Sequence, residues 1–170
     1  MKKRLCFILV LVLAFLCGCN NNQSNISAIT KNLKFTAEIN YNNEAFKFDF
    51  EIHDDGKTIM KAISPERIKN TVFELYDNNI LIKSNKLEYK STLENLPVVS
   101  PISFIYNVFK CVGKNNIKAI EENNQYFISG ITETYQYKLF IGSSGLPIKI
   151  IDDKNKISAI ITKVTICNKF

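Results

Sequence analysis

Strict two-residue alternation from Leu33 to Ile52 constrains this chain more than any other feature. Leu33, Phe35, Ala37, Ile39 and Tyr41 alternate with Lys34, Thr36, Glu38 and Asn40. Asn42-Asn43 breaks the run, and Phe46, Phe48, Phe50 and Ile52 then alternate with Lys47, Asp49 and Glu51. A period of two with one apolar side describes half-buried strands, and the Asn-Asn break joins them as an antiparallel hairpin. Such a sheet has one greasy face and one charged face, and something else in the chain must cover the greasy one.

The remaining pattern extends this sheet. Asp54-Asp55-Gly56 reads as a turn into a strand over Thr58–Ile63. Ser64-Pro65-Glu66-Arg67 reads as a short helix with Ser64 as N-cap and Pro65 in the first position. Strand character returns over 71–76, 80–83 and 87–90, with turn residues between. One longer helix follows: Ser100 caps, Pro101 opens, and Ile102, Ile105, Val108, Phe109 and Val112 recur at helical spacing up to Gly113. Its wide apolar side predicts that it lies on the greasy face of the sheet. Residues 115–124 read as a short amphipathic turn. Strands follow over 125–130, 133–141, 148–151 and 157–167, with Tyr135, Tyr137 and Leu139 alternating in the second. The expectation is a mainly β (α+β) fold, with residues 33–170 forming a single domain.

The start of the chain says where this domain works. Lys2, Lys3 and Arg4 precede an apolar run from Leu5 to Leu16. A basic start, an apolar run of roughly 7–15 residues and a small residue before the cut describe a secretory leader. The run is short against the ~20 residues that span hydrocarbon. Leu16-Cys17-Gly18-Cys19 resembles the lipobox of bacterial lipoproteins: an aliphatic residue, a tolerated position, a small residue, then Cys. Residues 1–18 are thus expected to be removed. Cys19 would carry diacylglycerol as the mature N-terminus, and residues 19–32 would be a polar tether. Cys17 is the rival acceptor, but bulky Leu16 precedes it. The expected location is the extracytoplasmic face of the bacterial cytoplasmic membrane.

Little in the chain points to chemistry. The net charge of +6 falls to about +3 once Lys2, Lys3 and Arg4 leave with the leader, far from a nucleic-acid footprint. His53 is the single histidine, so nucleophile–base arrangements have little to draw on. It reads as a surface turn residue. Asp54-Asp55-Gly56 and Asp152-Asp153 lack the spacing of a calcium loop and read as turns. No phosphate loop, Gly-x-Ser-x-Gly elbow, His-Glu-x-x-His or Cys-x-x-Cys occurs. No catalytic residue, metal site or cofactor is expected. Cys111 and Cys167 sit among apolar neighbours, where a cysteine behaves as a small hydrophobe. In an exported chain they could instead pair.

Three short motifs in order carry a family likeness: Ile63-Ser64-Pro65-Glu66-Arg67-Ile68, Ser100-Pro101-Ile102-Ser103-Phe104 and Gly145-Leu146-Pro147-Ile148-Lys149. With them, residues 33–166 resemble the LolA-like superfamily of small lipoproteins. The resemblance implies a curved antiparallel half-barrel of roughly ten strands, with short helices plugging its concave face. In the carriers of that superfamily the hollow accepts acyl chains; other relatives act through a partner. Within the group the chain is also similar to the GerS-type germination lipoproteins of spore-forming clostridia, which bind a cortex-modifying amidase. One departure is that classical carriers begin with a longer amphipathic helix than residues 20–32 offer.

The aromatic excess supports two readings. Phe35, Phe46, Phe48, Phe50, Phe104 and Val108 either pack as core or line an apolar cavity for lipid tails. The first function expected is a membrane-anchored, non-catalytic lipoprotein that binds and supports a cell-envelope enzyme, the resemblance suggesting a sporulation or germination amidase. The alternative is a lipid or hydrophobic-ligand binder using the concave cavity. The first predicts a filled hollow with an apolar patch at a strand edge or on the outer face; the second predicts an open cavity under the helix. The anchor has its own test. Cys19→Ala is predicted to move the protein from membrane to soluble fractions with its thermal unfolding unchanged. Persistence in membranes would remove Cys19 as the lipid site.

Overall fold

The computed structural model describes residues 32–114 and 119–167. The leader, Cys19 and the proposed tether up to residue 31 lie outside them. The strands are β1 (Leu33–Tyr41), β2 (Glu44–Ile52), β3 (Thr58–Ser64), β4 (Val72–Tyr76), β5 (Asn79–Ser84), β6 (Leu87–Thr92), β7 (Ile120–Glu122), β8 (Gln125–Ile131), β9 (Gln136–Ile141), β10 (Pro147–Asp152) and β11 (Ile157–Ile166). The helix α1 spans Pro101–Lys114. All eleven strands form one antiparallel sheet in the order β6-β5-β4-β3-β2-β1-β11-β10-β9-β8-β7. Two meanders are thus joined where the first and last strands meet, with Leu33 opposite Ile166 and Tyr41 opposite Ile157.

Short-range rules built most of these pairs. Asn42 and Asn43 both take positive φ (52° and 62°), the backbone of a two-residue turn whose twist matches the strands it joins. The hairpin then pairs in the register its alternation demanded, Phe35 opposite Phe50 and Ala37 opposite Phe48. Asn123 and Asn124 repeat the device (52° and 61°) and tie β7 to β8. That corrects the amphipathic turn expected at 115–124: its last part is a three-residue edge strand, and residues 115–118 lie outside the described residues. The helix expected at Ser64 is a 3-10 turn over Glu66–Ile68, preceded by Pro65 with no side-chain cap, because Ser64 still pairs with Lys47 in the sheet. The strand expected from Glu133 begins at Gln136. Thr132 explains the delay, since its Oγ1 accepts the Tyr135 amide at 2.8 Å and holds a turn. Asp152, buried in the β10–β11 turn, accepts the amides of Gln136 and Asn155 at 3.0 and 3.1 Å and so acts as a turn cap.

The apolar side chains of both meanders meet in one continuous core around α1. Gly130 permits one close approach: it lies opposite Tyr137, and a Cβ there would collide with the phenol. The inward phase of β2 is directly testable. Phe48 is 1% exposed and packs edge-on to Phe73 at 6.3 Å. Phe48→Asp is predicted to cost about 4 kcal/mol or more, through the lost packing and a buried unpaired charge. Urea unfolding checks it, and a mutant as stable as wild type would mean the inward face is wrong.

Candidate functional site

The helix crosses the concave face and is held by polar groups at its start and in its later turns. At its start, the Ser100 Oγ accepts the Ser103 amide at 3.1 Å, the N-cap its sequence promised. The Ser103 hydroxyl lies 2.6 Å from the Tyr135 hydroxyl, which also accepts the Ser100 amide at 3.1 Å. Further along, the Tyr106 hydroxyl and the Lys110 ammonium (3.0 Å) both donate to the Asp77 carbonyl in the β4–β5 turn. The helix is therefore clamped between opposite halves of the sheet.

Beneath it the hollow is filled. Phe35 stacks on Phe50 with centroids 4.9 Å apart and meets Phe109 of the helix at 5.2 Å. Phe104 packs on Tyr135 at 5.2 Å. Of the residues proposed to line a cavity, Phe35, Phe48, Phe50, Phe104 and Val108 come together as buried members of this core. Phe46 is half-buried and packs against the edge of this core, with the Arg67 guanidinium 5.6 Å from its ring centroid and Arg67 in turn paired with Glu44. The clefts described next are lined by other residues.

At the C-terminal end of α1 a cleft of about 250 Å³ opens between the helix and the β2–β3 turn. Ile52, Phe109 and Tyr106 form its apolar wall; His53, Asp55 and Lys110 stand at its rim. His53 is half-buried here rather than a plain surface residue, with Nε2 4.0 Å from Glu51. Burial, with a smaller contribution from the Asp77 charge, pushes the Tyr106 phenol up to about 12. A second cleft, lined in part by Asn107, Cys111 and Thr134, lies along the exposed side of the helix. No disulfide joins Cys111 to Cys167. Among the described residues no group of three or more His, Cys, Asp or Glu is placed to hold a metal ion.

The outer face divides into two unlike halves. Over β1 to β5 it is a ladder of cross-strand polar pairs: Lys34 with Glu51 at 2.8 Å, Thr36 with Asp49 at 2.7 Å, and Glu74 between Lys83 (2.6 Å) and Lys57 (3.1 Å). The hydrogen bond from Lys83 is the main reason the Glu74 carboxyl titrates below its ordinary range. Over β7 to β11 the same face carries a row in lateral register: Ile120, Phe127, Phe140, Lys149 and Ile160. Ile120 and Ile160 are each 50% exposed. The Lys138 and Lys149 ammonium groups sit 5.2 and 5.8 Å from the centroids of Phe127 and Phe140, their stems lying over apolar surface. Sequence reasoning missed this row. The sign was present: in β9, Phe140 falls in the phase that Tyr137 and Leu139 leave for solvent.

No protein-family model matches the chain, and no curated protein matches it in sequence. Solved structures do match in shape. An uncharacterized conserved protein from Thermus thermophilus aligns with a TM-score of 0.54 at 7% identity, over 86% of this chain and 85% of that one. A LolA superfamily protein from Nitrosomonas europaea aligns at 0.46 and 8% identity, over 87% and 94%. LprF from Mycobacterium bovis aligns at 0.43 and 14% identity, over 86% and 93%. The first likeness concerns the fold alone. The architecture itself is the expected one: mainly β, one curved open antiparallel sheet, with a helix on the concave face.

The clamp at the cleft wall has a measurable signature. Tyr106→Phe removes the bond to Asp77 and keeps the ring, so it is predicted to cost about 1 kcal/mol at neutral pH. The wild-type phenol holds its proton more tightly folded than unfolded. Its contribution is therefore complete below pH 10 and is lost as pH rises toward 12. Urea unfolding at pH 7 and across pH 10–12 should show the mutant deficit at the first and a shallower alkaline loss at the second.

Proposed function

We propose that this chain is a lipid-anchored, non-catalytic protein of the bacterial cell envelope that holds a protein partner against the outer face of β7 to β11. The observation that carries this reading is the Ile120–Phe127–Phe140 row, apolar groups in register and continued across Lys149 to Ile160, on a face that is elsewhere a ladder of polar pairs. Exposed aliphatic residues beside aromatic rings, rimmed by long-stemmed cations, form the composition of a protein contact with a polar border. The filled hollow favours the same reading over cargo binding, because an acyl chain beneath α1 would have to displace the Phe35–Phe50–Phe109 stack. A cell-wall amidase of sporulation or germination is the partner that the likeness to GerS-type lipoproteins suggests. Membrane attachment through diacylglycerol on Cys19 belongs to the same proposal. Among the described residues no helix is long and apolar enough to cross a membrane.

The test is affinity purification of the tagged, full-length protein from its own cells in growth and sporulation, comparing wild type with Ile160→Glu. Ile160 projects outward from the sheet, so the substitution is predicted to leave stability within about 0.5 kcal/mol. A stoichiometric wall amidase recovered with wild type and lost with Ile160→Glu is the expected result. Equal recovery with both proteins would move the contact elsewhere. Lipid beyond the anchor, bound without a protein partner, would replace this reading with the hydrophobic-ligand one.

A further inference from the structure

Two cations stand within the apolar surface of β7 to β11, and their placement limits what can cover it. Lys149 lies opposite Phe140, and Lys138 lies opposite Ile151 on the same strand pair, so the two lysines are diagonal neighbours. Their Cα atoms are then roughly 7–8 Å apart. Both are exposed. Among the described residues neither belongs to an ion pair, whereas Lys34, Lys57, Arg67, Lys69 and Lys83 all do. Each ammonium rests on a ring instead, 5.2 Å from the Phe127 centroid and 5.8 Å from that of Phe140. The carboxylates of this face stand at its margins: Glu122 opposite Gln125 in the edge hairpin, and Glu38 opposite Lys47. Beside Lys138 a shallow hollow of about 610 Å³ is lined in part by Ser129, Ile131, Gln136 and Ile151. Ile131 is 74% exposed there.

We propose that the partner seated on this face is an acidic protein surface, with two carboxylates placed to take Lys138 and Lys149 from their rings and an apolar side chain that enters the hollow beside Lys138. The proposal rests on the partner reading above and adds the partner's chemistry to it. Charge complementarity selects the occupant. An incoming carboxylate replaces a weak cation–π contact with a charge-assisted hydrogen bond. The ring that each lysine uncovers, Phe127 or Phe140, is then buried against the partner. Carboxylates at a fitting separation occur on alternate residues of a strand, about 6.5–7 Å apart, or on successive turns of a helix, ~5–6 Å apart at Cβ. The long lysine stems absorb the difference. Two rivals for the same charges fit less well. A phosphate-bearing wall polymer supplies anions and leaves Ile120, Ile131 and Ile160 wet. An anionic membrane holds a protein face through clusters of roughly 4–8 cations, and the apolar row supplies Lys138 and Lys149.

The test uses the tagged full-length protein, and its probe is the protein that co-purifies with wild type and is lost with Ile160→Glu. Carbodiimide joins an amine to a carboxylate in contact with it, so the purified complex is treated with it and digested. Mass spectrometry is expected to recover Lys138 and Lys149 each linked to an Asp or Glu of that protein. Lys138→Gln combined with Lys149→Gln is expected to weaken binding about tenfold or more and to flatten its salt dependence. Lys138→Arg combined with Lys149→Arg keeps both charges and is expected to retain binding. Thermal unfolding of each variant separates lost contact from lost fold. A glutamine pair that binds like wild type, or carbodiimide links at other lysines alone, would overturn the acidic chemistry and leave the partner reading in place. Recovery of no protein, or equal recovery with Ile160→Glu, would remove the partner reading and this proposal with it. Lysine-dependent retention of phosphate-bearing lipid or wall polymer, with no carboxylate link, would overturn the proposal in favour of that ligand.

Discussion

The Phe35 ring, held between Phe50 of its own sheet and Phe109 of the helix, is the contact on which the rest of the structure depends. A single antiparallel sheet cannot bury its own apolar face; it must curve, and something must fill the space the curve creates. Here one helix fills it. Phe104, Ile105, Val108, Phe109 and Val112 enter the hollow from above, and β1, β2, β9 and β11 supply its floor. Phe35 is central because β1 is central: it lies between β2 and β11, where both meanders meet. Apolar packing alone would let a helix slide on such a floor. The directional bonds at its two ends, Ser100 and Ser103 to Tyr135 and Tyr106 to Asp77, fix its angle and position.

That angle has consequences at the periphery. A helix fixed between the β8–β9 turn and the β4–β5 turn leaves two corners of the concave face without cover. One becomes the cleft at its C-terminal end, whose rim carries His53, Asp55 and Lys110. The other is the β5–β6 corner, where Ile82 is half-buried and Leu87 and Tyr89 are exposed. The exposed groups of this protein therefore follow from how one helix fits one curved sheet. They mark the surface left over when the core is complete.

Much of this was legible in the chain. Wherever one strand face is buried and the other wet, the two-residue period is strong, and β1, β2, β3 and β9 could be read directly from it. The Ser100–Pro101 opening and Gly113 bounded the helix to within a residue. What escaped had physical reasons. At Ser64-Pro65 a capping pattern was outweighed by sheet pairing, since Ser64 remained bonded into β3. At β7 three residues are too few to show a period, and only the repeated Asn-Asn turn betrayed the hairpin. The row on the outer face escaped because single apolar residues in the wet phase of a strand are commonplace. Phe127, Phe140 and Ile160 belong to three different strands, and only the register between strands sets Phe127 beside Phe140 and brings Ile160 into the same row, across Lys149.

The same register argument separates what the two halves of the outer face can do. Over β1 to β5 Lys34, Lys57 and Lys83 are paired with Glu51 and Glu74, so a partner would have to break satisfied pairs to bind there, and such exchanges return little. Over β9 and β10, Lys138 and Lys149 lie on aromatic rings instead of carboxylates. A cation–π contact at an exposed site is worth only ~0.5–1 kcal/mol, so an incoming acidic group can draw the ammonium away at small cost and leave the ring available for burial. One half of the sheet is electrostatically closed and the other is poised to exchange its cover. The difference arises because the residue across from Lys149 is Phe140, where the residue across from Lys34 is Glu51.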